Sequence, residues 1–107
     1  MDGIHNFSVV ILDEASIDIE EAIDWYETQK VGLGLEFYQI LLTAFQVISS
    51  SPYLYPVHFL FVRRAIVHRF PYTIFYAVDE VNTAVEIVAV FHQRISPDEL
   101  KRRLNFE

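Results

Sequence analysis

The chain contains no cysteine. Disulfides, thiolate nucleophiles and thiolate metal sites are excluded together, and the lack of disulfides fits a reducing compartment. Glycine (3) and proline (4) are scarce among 107 residues, so most of the chain is expected in regular elements rather than loops. Basic residues are nearly missing from the first half. Residues 1–62 hold nine acids against Lys30 alone, a net of −8, whereas residues 63–107 hold seven Lys or Arg against six acids, a net of +1. That asymmetry points to two electrostatically different faces. A formal charge of −7 makes the chain a poor nonspecific nucleic-acid binder, and no sequence-specific nucleic-acid contact is expected. The opening MDGIHNFSVV carries acid where a secretory signal carries base, and no apolar run approaches the ~20 residues of a membrane span. The expectation is a soluble, cytoplasmic protein without membrane association.

What is present is apolar. Hydrophobic residues make up 52% and aromatics 15%, which supplies a packed interior and excludes disorder. The length suits one domain over residues 1–107.

Residues 7–12 (FSVVIL) form a short β-branched run, read as a strand buried on both faces, although so short a run also admits a helical turn. From residue 15 to 29 the period changes. Ala15, Ile19, Ala22, Ile23 and Tyr26 follow helical spacing, with Asp18, Glu20, Glu21, Asp24 and Glu27 on the remaining arc. Asp13 or Ser16 is the expected cap. Gly32 is placed to adopt the left-handed conformation between this helix and a second at 35–49, whose apolar stripe is Phe37, Leu41, Ala44, Phe45 and Ile48. The short connection makes the two an antiparallel hairpin, and Ser51-Pro52 ends the second.

Strand-like runs follow at 60–70, 72–79 and 84–92, separated by Pro71 and by Glu80-Val81-Asn82-Thr83. Alternation puts Arg63 and Arg69 on one face of the first run and Arg64 and His68 on the other. Residues 97–104 read as a short helix, with Ser96 as cap and Pro97 at the first helical position. The fold class is α+β: an N-terminal strand, then a helical hairpin packed on a mostly antiparallel sheet, in the order β-α-α-β-β-β plus a short C-terminal helix.

Four stretches carry a family resemblance: EEAIDWYETQKVGLGLEFYQIL at 20–41, SPYLYP at 51–56, RRAIVHRFPYTIFYAVD at 63–79 and AVFHQRISPDELKRR at 89–103. Their order and spacing resemble the ParE/RelE superfamily of type II toxin–antitoxin toxins, also known as plasmid stabilisation proteins, and are closer to its ParE-like members. The resemblance implies a toxin neutralised by a cognate antitoxin, assembled as a homodimer or an antitoxin-bound hetero-oligomer, with no cofactor. ParE-like members inhibit DNA gyrase by binding. RelE-like members cut messenger RNA on the ribosome. A third alternative is a non-toxic member that only binds antitoxin.

The residues choose among these. RNA cleavage through the 2′-hydroxyl needs a base, an acid for the leaving oxygen and positive charge at the phosphate. In RelE-like nucleases an Arg follows the strand tyrosine, and the matching position here is Thr73. A late tyrosine falls near Leu100, which moves no proton, and the chain ends Asn105-Phe106-Glu107 without His or Tyr. A later basic position is matched by Arg94. His68, His92, Arg69 and Arg94 are the remaining nuclease candidates, with His92 and Arg94 sharing a strand face if the strand runs that far. His5, His58, His68 and His92 lack metal-motif spacing, so no metal site is expected. The run Glu20, Glu21, Asp24, Glu27 reads as solvated helix surface; Tyr26 falls on the core stripe, and Trp25 beside it has two readings, packing, which is favoured, and the anchor of a contact. Arg63, Arg64, Arg69, Arg94, Lys101, Arg102 and Arg103 are the candidates for contacting target or antitoxin, as a basic surface facing acid. An amphipathic antitoxin helix is a second fit, in a groove between hairpin and sheet.

Overall fold

A computed structural model describes residues 6–105. His5 and the terminal Phe106 and Glu107 lie outside the described residues. The elements run β1 (Ser8–Ile11), α1 (Asp13–Gln29), α2 (Leu33–Ser50), β2 (Val57–Phe59), β3 (Val62–Ile66), β4 (Tyr72–Asp79), β5 (Ala84–His92) and α3 (Asp98–Arg103). The strands form one sheet in the order β1-β5-β4-β3-β2. β1 lies parallel to β5 and every other pair is antiparallel. This is the expected α+β architecture with one strand more.

The extra strand comes from a break within the run at 60–70. Leu60 adopts φ 53°, and the chain reverses through Leu60 and Phe61 to form the β2–β3 hairpin. A second reversal carries Arg69 at φ 74°. Alternation therefore holds for Arg63 and Arg64 inside β3 but does not extend to His68 and Arg69. β1 also differs from its expectation. It is an edge strand paired only with β5, and Val10 and Ile11 are exposed rather than buried on both faces.

The helical hairpin follows the periodic pattern. Ala15, Ile19, Ala22 and Tyr26 of α1 and Phe37, Leu41, Phe45 and Ile48 of α2 are buried in one cluster with Ala65, Ile74, Tyr76, Val85, Ile87 and Val90 of the sheet. Neither Asp13 nor Ser16 caps α1: the cap position is Leu12, and no side chain bonds there. Asp13 and Glu14 still place negative charge in the first turn, at the positive end of the helix dipole. The turn between helices is held by Glu27, whose carboxylate accepts the N–H groups of Gly32 (2.9 Å) and Gly34 (3.0 Å) at the start of α2. Gly32 takes φ 91° as expected. At Gly34 a Cβ would stand 2.7 Å from the carbonyl oxygen of Ile23, so the close approach of the helices requires glycine.

The sheet has two unlike faces. One packs on α1 and α2. The other carries a smaller cluster of Val62, Val88, Ala89 and Phe91 under Leu100 of α3. A bulge in β5 sorts residues between them. The β4–β5 register passes from Tyr76↔Ile87 to Phe75↔Ala89, leaving Val88 as the extra residue. Before the bulge Val85 and Ile87 face the helices; after it Val90 does, while Ala89 and Phe91 turn to α3.

Candidate functional site

The face with the sparser covering holds a cavity of about 370 Å³. β3 contributes Arg64 and Ile66, β4 contributes Thr73 and Phe75, and β5 contributes Phe91 and His92. Leu100 of α3 and the turn at Gln93, Ile95, Ser96 and Pro97 close one side, and His58 of β2 stands on the other. No carboxylate lines it. His58 was missed as a site residue because β2 is only three residues long and its residues show no periodicity; its ring lies 5.3 Å from that of Phe75.

This cavity collects two of the positions that the resemblance singled out. Of the three matched positions Thr73 and Leu100 line it and Arg94 does not, and the two that do bear a neutral hydroxyl and a buried alkyl group; His92, a candidate of the rebuilt nuclease set, lines it as well. Arg94 falls past the end of β5 in a turn and does not share a strand face with His92. The backbone N–H of Arg94 instead donates to Nδ1 of His92 at 3.0 Å. A neutral imidazole that accepts at Nδ1 carries its proton on Nε2 and presents a donor there, not a base. His68 lies in the bend after β3 and is absent from the cavity lining. Among the described residues no group of three His, Asp or Glu is placed to hold a metal ion.

The seven basic candidates do not form one free surface. Arg103 is enclosed: its guanidinium forks onto both carboxylate oxygens of Asp18 (3.0 and 3.1 Å), donates to the Val88 carbonyl and lies 4.9 Å over the Phe91 ring. The hydrogen bond to Asp18 raises its pKa further above its already high ordinary value. Asp18 also accepts the N–H of Val90, which lies past the stretch of β5 paired with β1. Arg63 donates to the Tyr55 carbonyl at 2.7 Å and covers the Tyr53 ring. Arg69 pairs with Glu36, Arg102 with Glu99, and Lys101 covers the Phe59 ring. Arg63, Arg64, Arg94 and Lys101 have no ion-pair partner among the described residues; Arg63 and Lys101 are engaged by a carbonyl or a ring, and of the remaining two only Arg64 lines the cavity.

A third feature lies at the sheet's other side. A groove of about 380 Å³ runs between α2 and β1, lined by Val9, Ile11, Leu42, Phe45, Gln46 and Ser49 among others. Beside it Val10, Leu12 and Val47 are exposed. One edge of β1 is unpaired. Among the described residues no helix is long and apolar enough to cross a membrane.

Comparison with known proteins agrees with this geometry. The family model described as the ParE toxin of the type II toxin–antitoxin system parDE matches residues 9–97. The fold is similar to a solved chain of the chromosomal ParDE system of P. aeruginosa, at 16% identity and TM-score 0.71, covering 82% of this chain and 97% of that one. It is also similar to a chain of the toxin–antitoxin complex RelBE2 from Mycobacterium tuberculosis, at 19% identity and TM-score 0.60, covering 86% and 97%. No protein of curated function matches the sequence. With the family model spanning most of the residues, the chain belongs to the ParE toxin family.

Proposed function

We propose that this protein is a toxin that acts by binding rather than by cutting RNA, with DNA gyrase as its target and a cognate antitoxin as its inhibitor. The observation that carries the reading is the cavity on the open face of the sheet. At the positions where a RelE-like nuclease keeps its charge and its proton donor, this cavity holds Thr73 and Leu100. What remains is one unpaired guanidinium, two imidazoles and an aromatic floor. That set attracts an acidic or polar partner surface, and it lacks the strand arginine and the late tyrosine of the RelE-like pattern.

The antitoxin has a separate place to dock. The free edge of β1 offers backbone groups for an added strand, and the apolar groove beside α2 suits a hydrophobic helix or extended segment. The two surfaces lie on different sides of the molecule, so neutralisation on this reading involves more than plugging the cavity.

The test is induced expression in a sensitive bacterial host, with and without the neighbouring gene, followed by a gyrase supercoiling assay on the purified protein. Growth arrest relieved by the neighbour, with supercoiling inhibited and messenger ends unchanged, supports the reading. New messenger 5′ ends in translated regions would replace it with the nuclease alternative. Unimpaired growth with abundant folded protein would leave a binding-only family member.

A further inference from the structure

On the helical side of the His92 end of β5 lies a smaller cleft of about 260 Å³, which shares Phe91, His92 and Ile95 with the cavity but has α1 as a wall. Asp18, Glu21, Ala22 and Trp25 of α1 form one wall, a single stripe at i, i+3, i+4 and i+7. Tyr72, His92 and Ile95 stand opposite. Trp25 is 57% exposed although it is the only tryptophan in the chain. Packing, the favoured role of the Trp25-Tyr26 pair, accounts for Tyr26, which is buried; the indole meets the Tyr26 ring edge-on at 5.2 Å, yet more than half of Trp25 stays in solvent.

We propose that this cleft receives an arginine side chain of a partner polypeptide. The molecule itself shows what such a wall takes. One turn towards the start of α1, Arg103 sits with its guanidinium forked on Asp18 and its plane against the Phe91 ring. Glu21 and Trp25 repeat that pairing of carboxylate and aromatic face, and there the guanidinium is missing. Glu21 has no hydrogen bond or ion pair among the described residues. A planar guanidinium can stack on the indole and the Tyr72 ring while donating to the Glu21 carboxylate. Lysine offers a point charge without the stacking plane, and an anion meets the unpaired Glu21 carboxylate. A metal ion lacks a third ligand group here among the described residues.

Within the chain one competitor exists. Arg94, two residues beyond His92, is exposed and has no ion-pair partner among the described residues. The proposal requires that it leave the cleft open.

The lone tryptophan is the reporter. Trp25 emission is followed while a short oligo-arginine peptide is added to the wild-type protein, with an oligo-citrulline peptide of equal length as its uncharged isostere. The arginine peptide should give a saturable change with about tenfold higher affinity than the citrulline peptide. Glu21→Gln should weaken arginine binding about fivefold, whereas Glu20→Gln, which removes the same charge from the same helix outside the cleft, should change it less than about twofold. Equal weakening by both substitutions would mean general attraction to an acidic helix and would overturn the proposal. So would an emission shift produced by Arg94→Ala alone, because the chain's own arginine would then be the occupant. None of these outcomes depends on gyrase or on toxicity, so the proposal and the toxin reading fail separately.

Discussion

The two faces of the sheet differ in how completely they are closed. Under α1 and α2, Tyr26, Phe37, Phe70 and Tyr72 form an aromatic cluster with ring centroids 4.9–6.0 Å apart. Tyr76 is fully buried there, and its hydroxyl donates to the Pro52 carbonyl at 2.6 Å. On the opposite face a six-residue helix covers only part of the sheet, and Ile66 stays exposed beside the half-buried Phe75. A closed face holds the chain together, and an open one leaves apolar and cationic groups free for another molecule. Most of the buried core thus lies on one side of the five strands, and the open cavity on the other.

The division is broken most directly by truncating one aromatic on each side. Phe37 is 0% exposed and contacts three aromatic rings, so Phe37→Ala should cost about 3–5 kcal/mol in urea denaturation. Phe75→Ala, on the open face, should cost about 1 kcal/mol, because part of its surface is already in water. Similar losses at both would mean that the open face contributes as much to folding as the closed one.

Arg103 tests what holds α3 over the open face. Its side chain is 13% exposed and that of Asp18 14%. Arg103→Ala leaves the Asp18 carboxylate without its counter-ion and should cost about 2–3 kcal/mol. Hydrogen exchange should locate the loss in α3 and the end of β5 before the helical hairpin opens. Uniform loss across the molecule would show that α3 belongs to the main core.

Alkaline titration separates the faces by chemistry. Burial pushes the Tyr76 phenol up to about 12, and burial also raises Tyr26 and Tyr72. A raised folded-state pKa favours the neutral phenol, so this stability is fully present below pH 10 and is lost as pH rises towards 12. Tyr76 should lower stability by about 1.4 kcal/mol per pH unit within that window, and Tyr26 and Tyr72 act in the same direction. Tyr76→Phe should flatten the fall measured by denaturation at pH 9 and above. An unchanged slope would mean that the phenol does not stay neutral in the fold.

How far the sequence reveals this division depends on the element. The helical hairpin is legible because Phe37, Leu41, Phe45 and Ile48 keep one period through α2, and each is buried. β5 is legible as a strand but not in the facing of its residues. The bulge at Val88 reverses alternation halfway along, and no residue type announces it. The break at Leu60 is hidden similarly, since a leucine at φ 53° gives no turn signal of the kind glycine or asparagine would. In the cavity, Thr73 and Leu100 were matched from the resemblance and do meet, Arg94 was matched and stays outside, and His58 arrives through the unforeseen β2. Pairing of charges was the least visible level. Asp18 and Arg103 are 85 residues apart, and only the folded chain shows that this arginine is held internally.

The smallest expected effect on folding is also the sharpest test of what the open face does. Arg63 and Arg64 are neighbours on β3 and point to opposite sides. Arg63 is tied to the Tyr55 carbonyl and the Tyr53 ring, so Arg63→Ala should cost about 1 kcal/mol and alter growth inhibition only through the amount of folded protein. Arg64 is exposed, unpaired among the described residues and lines the cavity, so Arg64→Ala should stay within about 0.5 kcal/mol of wild type. Its growth inhibition, compared at equal soluble protein, should nevertheless fall, because the cavity loses its one free guanidinium. The reverse pattern, with Arg64→Ala fully toxic and Arg63→Ala impaired at equal abundance, would move the target surface to the Tyr53–Arg63 side of the molecule. One pair of adjacent substitutions, read by melting temperature and growth, thereby decides which face meets the target.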